Sequence, residues 1–163
     1  MAKKKSLLQE RVVYKPFEYQ QAADYWLKQH QAHWLHTEVP MMSDLTDWNS
    51  NLSETEKNII GSILKGFAQT ETVVNDYWSG LVTKWFRKPE VIAFTEGVNL
   101  FSSFAILLSF KMRNKLKGVG QIVEWSIRDE SLHSEAGCWL FRTLIEENPE
   151  LKTPELEAAI NEA

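Results

Sequence analysis

Cysteine is nearly missing from this chain. Cys138 stands alone among 163 residues, so no internal disulfide can form, and the usage suits a reducing compartment. Glycine and proline are also scarce, at 7 and 5 residues. No window alternates apolar and polar residues long enough to argue for a strand, so the chain reads as mainly helical. Basic charge is short as well: 18 Lys and Arg stand against 22 Asp and Glu, a net charge of -4. That balance carries no electrostatic footprint for nucleic acid, and the Lys3, Lys4, Lys5 run reads as a solvated tail. The first thirty residues lack the apolar core of a signal peptide, so the expected location is cytoplasmic. What the chain does have is 44% hydrophobic and 12% aromatic residues, the content of one compact soluble domain.

One run, Val91 to Phe110, is apolar and long enough to raise a membrane span. It carries Glu96 and Asn99 near its middle, with Ser102, Ser103 and Ser109, and a carboxylate in hydrocarbon is costly. A helix apolar on all sides is then expected at the centre of a bundle, with no membrane partner.

Residues 1–18 read as an N-terminal arm and 19–163 as a single helical domain. The first helix is expected over Tyr19 to His36, followed by a loop from Thr37 to Asn51. Ser53, three residues before Glu56, makes a capping box that starts the next helix. From Glu54 to about Phe86 the apolar positions Ile60, Leu64, Phe67, Val74, Trp78, Leu81 and Trp85 mark one helical face, and Glu71 belongs to it. A third long helix, Val119 to about Glu147, repeats the pattern with Val123, Ser126, Gly137, Leu140 and Leu144, completed by Glu130 and His133. A further helix is expected from Thr153.

Carboxylates on inward stripes need compensation, because taking an ionised carboxylate out of water costs several kcal/mol. A metal ion would neutralise several at once, and His133 supplies a nitrogen donor on the face that carries Glu130. Bundle metal sites of one known design use single Glu residues from two helices and Glu-x-x-His from each of the other two. Glu71 and Glu96 fit the singles, and Glu130 with His133 fits one pair. The second pair is missing. A lone Glu-x-x-His is a weak signal, and from the residues alone core polar groups satisfied by hydrogen bonds or by Arg are the leading account of the pattern.

The segment running from Trp125 through Arg128, Asp129 and Glu130 to His133 resembles the signature of the small, radical-generating subunit of class I ribonucleotide reductase. The resemblance extends to Phe94, Thr95, Glu96 and Gly97 with Phe101 and Phe104, to Phe67 and Glu71 with Val74, Asn75 and Asp76, and to Ala32, His33 and Trp34. It covers nearly all of residues 8 to 147 in the family's order. It implies an all-α, ferritin-like helical bundle in which Glu71, Glu96, Glu130 and His133 are metal ligands of a di-iron or manganese-iron centre. Trp34 and Asp129 match the family's electron and proton relay toward the large subunit. The implied function is a homodimeric small subunit of ribonucleoside-diphosphate reductase, cytoplasmic and bacterial or phage-encoded, which uses dioxygen to make the oxidant for deoxyribonucleotide synthesis.

The departures from the family are specific. Near residues 90/91 the family has a further helix, which carries the other Glu-x-x-His and usually the radical tyrosine. This chain runs straight across that junction and stops soon after Pro154. Glu71 stands where most members have Asp, which resembles the branch with a manganese-iron centre. The rival reading is a shortened, non-catalytic or metal-storing ferritin-like bundle, and a third is an oxidase completed by a second copy. A bundle lacking one core helix would expose an apolar seam for self-association to cover. Among the remaining residues, His30, His33 and His36 read as a solvated helical face, and Cys138 as a buried small hydrophobe.

Overall fold

A computed structural model of the chain describes residues 6–92 and 101–162, and all regular structure among them is helical. In chain order the helices are α1 (Gln20–Gln31), α2 (Met42–Thr46), α3 (Glu54–Tyr77), α4 (Thr83–Trp85), α5 (Pro89–Ile92), α6 (Phe101–Met112), α7 (Lys117–Glu147) and α8 (Pro154–Glu162). A π turn over Trp78–Val82 joins α3 to α4. No helix among the described residues is long and apolar enough to cross a membrane.

The helix α3 starts where its capping box predicts. The Ser53 amide donates to Glu56 Oε2 at 2.9 Å, and the Glu56 amide donates back to Ser53 Oγ at 3.3 Å. Each side chain thereby satisfies an orphan backbone donor of the first turn. Two expectations differ at the other end of the chain order. The first helix stops at Gln31 rather than His36, and residues 36–51 hold three short helical segments, His36–Glu38, Met42–Thr46 and Asp47–Asn51, rather than a plain loop. Consequently the His30, His33 and His36 face does not form, since only His30 lies on α1.

The 31-residue α7 is the spine of the molecule. Its start is left-handed at Leu116, with φ 51°. The short helical segments before α3 compensate for that uncapped turn: Asp44 accepts from the amides of Gly118 at 2.8 Å and Val119 at 2.6 Å, while Asp47 accepts from Leu116 at 2.8 Å. Carboxylates at a helix N-terminus meet both the unpaired N–H groups and the positive end of the dipole. Gly118 leaves the room this needs, since a Cβ there would come within 2.7 Å of Met41 Sδ and 3.1 Å of Asp44 Oδ2.

Two apolar clusters form along α7. Its first half packs with α3 and α6 through Val123, Ile60, Phe104, Leu107 and Phe110. Its second half packs with α1 and the segment after α3 through Ala136, Leu140, Ala22, Tyr25, Val82 and Phe86. Ile127 borders the first cluster and Leu132 the second. Glu130 and His133 therefore sit where the two cores meet.

The predicted inward stripe of α3 is buried only in part. Ile60 is buried, but Leu64, Leu81 and Trp85 are exposed, and Val82 and Phe86 take the interior instead. The π turn rotates the face presented after residue 78, which is a reason a constant 3.6-residue period misassigns the end of this helix. Cys138, expected in the interior, is exposed. Gly137 and Cys138 lie on the flank of α7 between buried Ala136 and Leu140. The N-terminal arm is held down by buried Leu7, whose amide donates to Glu147 Oε2 at 2.7 Å, and Arg11 folds the arm locally by donating to the carbonyls of Val13, Tyr14 and Pro16.

Candidate metal centre

Glu130 and His133 are one turn apart on α7, with side chains 13% and 10% exposed. Three-residue spacing on a helix puts both on one face, and His133 Nδ1 lies 3.8 Å from Glu130 Oε1. The other carboxylate oxygen, Glu130 Oε2, is buried and has no hydrogen-bond partner. An orphaned buried carboxylate oxygen is costly, so it marks a place where a cation or a proton belongs.

Glu130 lines a cavity of about 330 Å³ whose walls are mostly apolar side chains, among them Leu64, Phe67, Phe104, Leu107 and Val123. Glu71, on α3, lines the same cavity. It is an exposed residue, so it stands at the cavity's open side and not in the sealed interior that the sequence pattern predicts. Two carboxylates from two helices thus share one pocket. Among the described residues, no three His, Cys, Asp or Glu side chains gather as a metal-holding group. The third expected carboxylate, Glu96, lies outside the described residues, as do Phe94, Thr95 and Gly97.

Carboxylate oxygens with one imidazole nitrogen suit iron and manganese, and a partly dry, apolar cavity suits a site whose charge must be met internally. The donor types present therefore fit a metal ion of that class.

Trp34 and Asp129 do come together. The Trp34 indole N–H donates to Asp129 Oδ2 at 2.8 Å. This contact explains why the first helix is shorter than its composition predicts: Trp34 lies beyond Gln31, in non-helical chain that turns toward α7. Arg128 fixes the same stretch by donating to the Ala32 carbonyl at 3.2 Å.

Two neighbours were not foreseen. Trp125 packs against Trp34 with ring centroids 5.4 Å apart and planes tilted by 52°, and its place four residues before Asp129 on α7 was the available signal. Gln29, on α1, brings its amide nitrogen to 3.0 Å from His133 Nε2. Nothing in its local sequence distinguishes it from the other glutamines of α1.

Comparison with known proteins bears directly on this arrangement. The family model described as "Ribonucleotide reductase, small chain" matches residues 11–95 and again 91–163. The chain is similar to a probable ribonucleoside-diphosphate reductase small subunit of Invertebrate iridescent virus 6, 27% identical over 223 positions that cover 88% of this chain and 62% of the viral protein. A counterpart in Invertebrate iridescent virus 3 is 27% identical over 227 positions, covering 87% of this chain and 60% of its own length. A ribonucleoside-diphosphate reductase subunit beta of Chlamydia pneumoniae is 40% identical over 65 residues, 40% of this chain and 19% of that protein. The chain spans about three fifths of the length of the two viral relatives. Both viral alignments are longer than the 163 residues available, so each relative has internal positions with no counterpart here.

Proposed function

The chain belongs to the ribonucleotide reductase small-chain family, and from that premise we propose that it serves as the metal-carrying small subunit of a ribonucleoside-diphosphate reductase. Glu130 and His133 hold the metal from α7, Glu71 from α3, and Glu96 by its family match. The observation that carries this reading is the buried, unpartnered Glu130 Oε2, on a side chain that stands beside His133 and lines the same cavity as Glu71. When bound, a di-iron or manganese-iron centre supplies redox chemistry with dioxygen, the source of the oxidant for deoxyribonucleotide synthesis.

The chain's own residues do the rest. Apolar side chains of the cavity restrict water around the carboxylates, which strengthens their hold on a cation. Asp129 Oδ2 accepts the indole N–H of Trp34, so an electron can leave the indole while its proton stays with the carboxylate. Trp34 and Asp129 thereby serve as the relay toward a large-subunit partner. The protein works as a homodimer in the cytoplasm, with no nucleic-acid or membrane partner.

A second reading is favoured by one observation. The family match falls in two pieces that meet at residues 91–95, and the viral relatives have positions that this chain lacks. A family segment missing near 90/91 would take the second Glu-x-x-His with it and leave a shortened bundle that stores or merely retains metal.

Metal content separates these readings. Purified protein is assayed for iron and manganese by elemental analysis, beside the variants Glu130→Ala, His133→Ala and His33→Ala. The expected result is loss of metal in the first two and none in the third; equal metal in all three removes the site. About two metal ions per 18.9 kDa chain supports the reductase reading, whereas one or fewer supports the shortened bundle.

A further inference from the structure

The contact between Gln29 and His133 joins α1 to α7 across 104 residues of sequence. The two helices are held together nearby by Ala22 and Tyr25 packing with Ala136 and Leu140. The Gln29 amide nitrogen meets Nε2 of the ring at 3.0 Å, while the opposite nitrogen, Nδ1, faces Glu130 Oε1 at 3.8 Å. A neutral imidazole carries one N–H and one lone pair, so whatever bonds at Nε2 decides what Nδ1 offers to the Glu130 side.

A primary amide can serve either tautomer. With its N–H donating to Nε2, the ring proton sits on Nδ1, pointing toward Glu130. With the amide turned by half a turn, its oxygen accepts Nε2–H and Nδ1 presents a lone pair to the same space. We propose that Gln29 is a positioning residue that sets which nitrogen of His133 carries the proton, and that rotation of its amide releases Nδ1 as a metal ligand. The change leaves the ring neutral: one proton leaves Nδ1 for solvent and one is taken up at Nε2. Outer partners that orient a ligating imidazole commonly fix its tautomer in this way. The inference rests on the metal-site reading of Glu130 and His133.

The test has two arms. In chelator-treated protein labelled with 15N-histidine, two-bond proton–nitrogen correlations report the His133 tautomer directly. Wild type is expected to show Nδ1–H, and Gln29→Leu a mixture with Nε2–H; an unchanged His133 pattern in the variant overturns the proposal. In the second arm, Mn(II) binding is followed by electron paramagnetic resonance of the free ion. Gln29→Glu, which accepts from Nε2–H and so keeps a lone pair on Nδ1, is expected to bind about tenfold more tightly, and Gln29→Leu, which no longer favours Nδ1–H, to bind more tightly than wild type by a smaller factor. Wild-type or weaker affinity in Gln29→Glu overturns the positioning role and leaves the metal site standing. Wild-type affinity in Glu130→Ala overturns the metal site, and this inference with it. Gln29→Met, closer in shape, replaces Gln29→Leu if that variant loses helical circular dichroism.

Discussion

The indole N–H of Trp34 donates to Asp129 Oδ2 at 2.8 Å, linking the chain just beyond α1 to the middle of α7 across 95 residues. The bond ends in a carboxylate, so it belongs to the stronger class, and it anchors the chain where α1 has ended.

Trp34→Phe keeps an aromatic ring to pack against Trp125 and removes the donor. Urea denaturation is expected to show a loss of about 2 kcal/mol, the range for a hydrogen bond to a charged group. Bound metal should be unchanged, because neither residue is a proposed ligand. Metal loss in this variant would place Trp34 in the site itself.

Asp44, on α2, caps α7 from a distant part of the chain, accepting from Gly118 and Val119. Asp44→Ala leaves both amides unpaired and is expected to cost about 1–2 kcal/mol by thermal or urea unfolding. Asp44→Asn, which keeps an acceptor, should cost less. Gly118→Ala is expected to destabilise as well, since its Cβ would press on Met41 and Asp44.

Lys88 is 1% exposed and pairs with Glu18 at 2.9 Å, its ammonium also lying 5.8 Å from the centroid of the Tyr19 ring. Glu18 is 35% exposed. The two partners should therefore not be equivalent. Glu18→Ala strands a buried cation and is expected to cost about 3 kcal/mol, whereas Lys88→Met leaves a carboxylate that water reaches and should cost about 1 kcal/mol. Chemical denaturation of both variants decides it, and equal losses would refute the asymmetry.

The Glu56 carboxyl is held at about 2, well below its ordinary 4.5, first by the Ser53 backbone N–H and further by the Ser53 hydroxyl and Lys115. A folded-state value lowered in this way contributes stability that is complete above pH 4.5 and lost as pH falls toward 2. Carboxyl NMR titration of Ser53→Ala is expected to show Glu56 moving back up toward its ordinary value. Glu56→Gln should flatten the fall in stability between pH 4.5 and 2.

Helices were legible wherever a local rule set them. The capping box at Ser53 and Glu56 and the periodic face of α7 could be read directly, because an N-cap and a 3.6-residue stripe involve only near neighbours. The expected Val119 start of α7 is Lys117 in the structure, a difference at the scale at which helix ends fray. The end of α1 was not legible. Residues 32–36 suit a helix by composition, but the long-range bond from Trp34 to Asp129 draws the chain out of it. Likewise the π turn after Tyr77 redirects the final turns of that helix, and no periodic pattern announces it.

The chain by itself determined its all-α class, its family and the pairing of Glu130 with His133, since these rest on residue types and spacing along one helix. Tertiary structure alone decided that Glu130 Oε2 is left without a partner, that Glu71 shares its cavity from the open side, and that Gln29 reaches His133 Nε2. Those facts depend on how α1, α3 and α7 approach one another. Packing between helices distant in sequence sets that approach, and no local pattern encodes it.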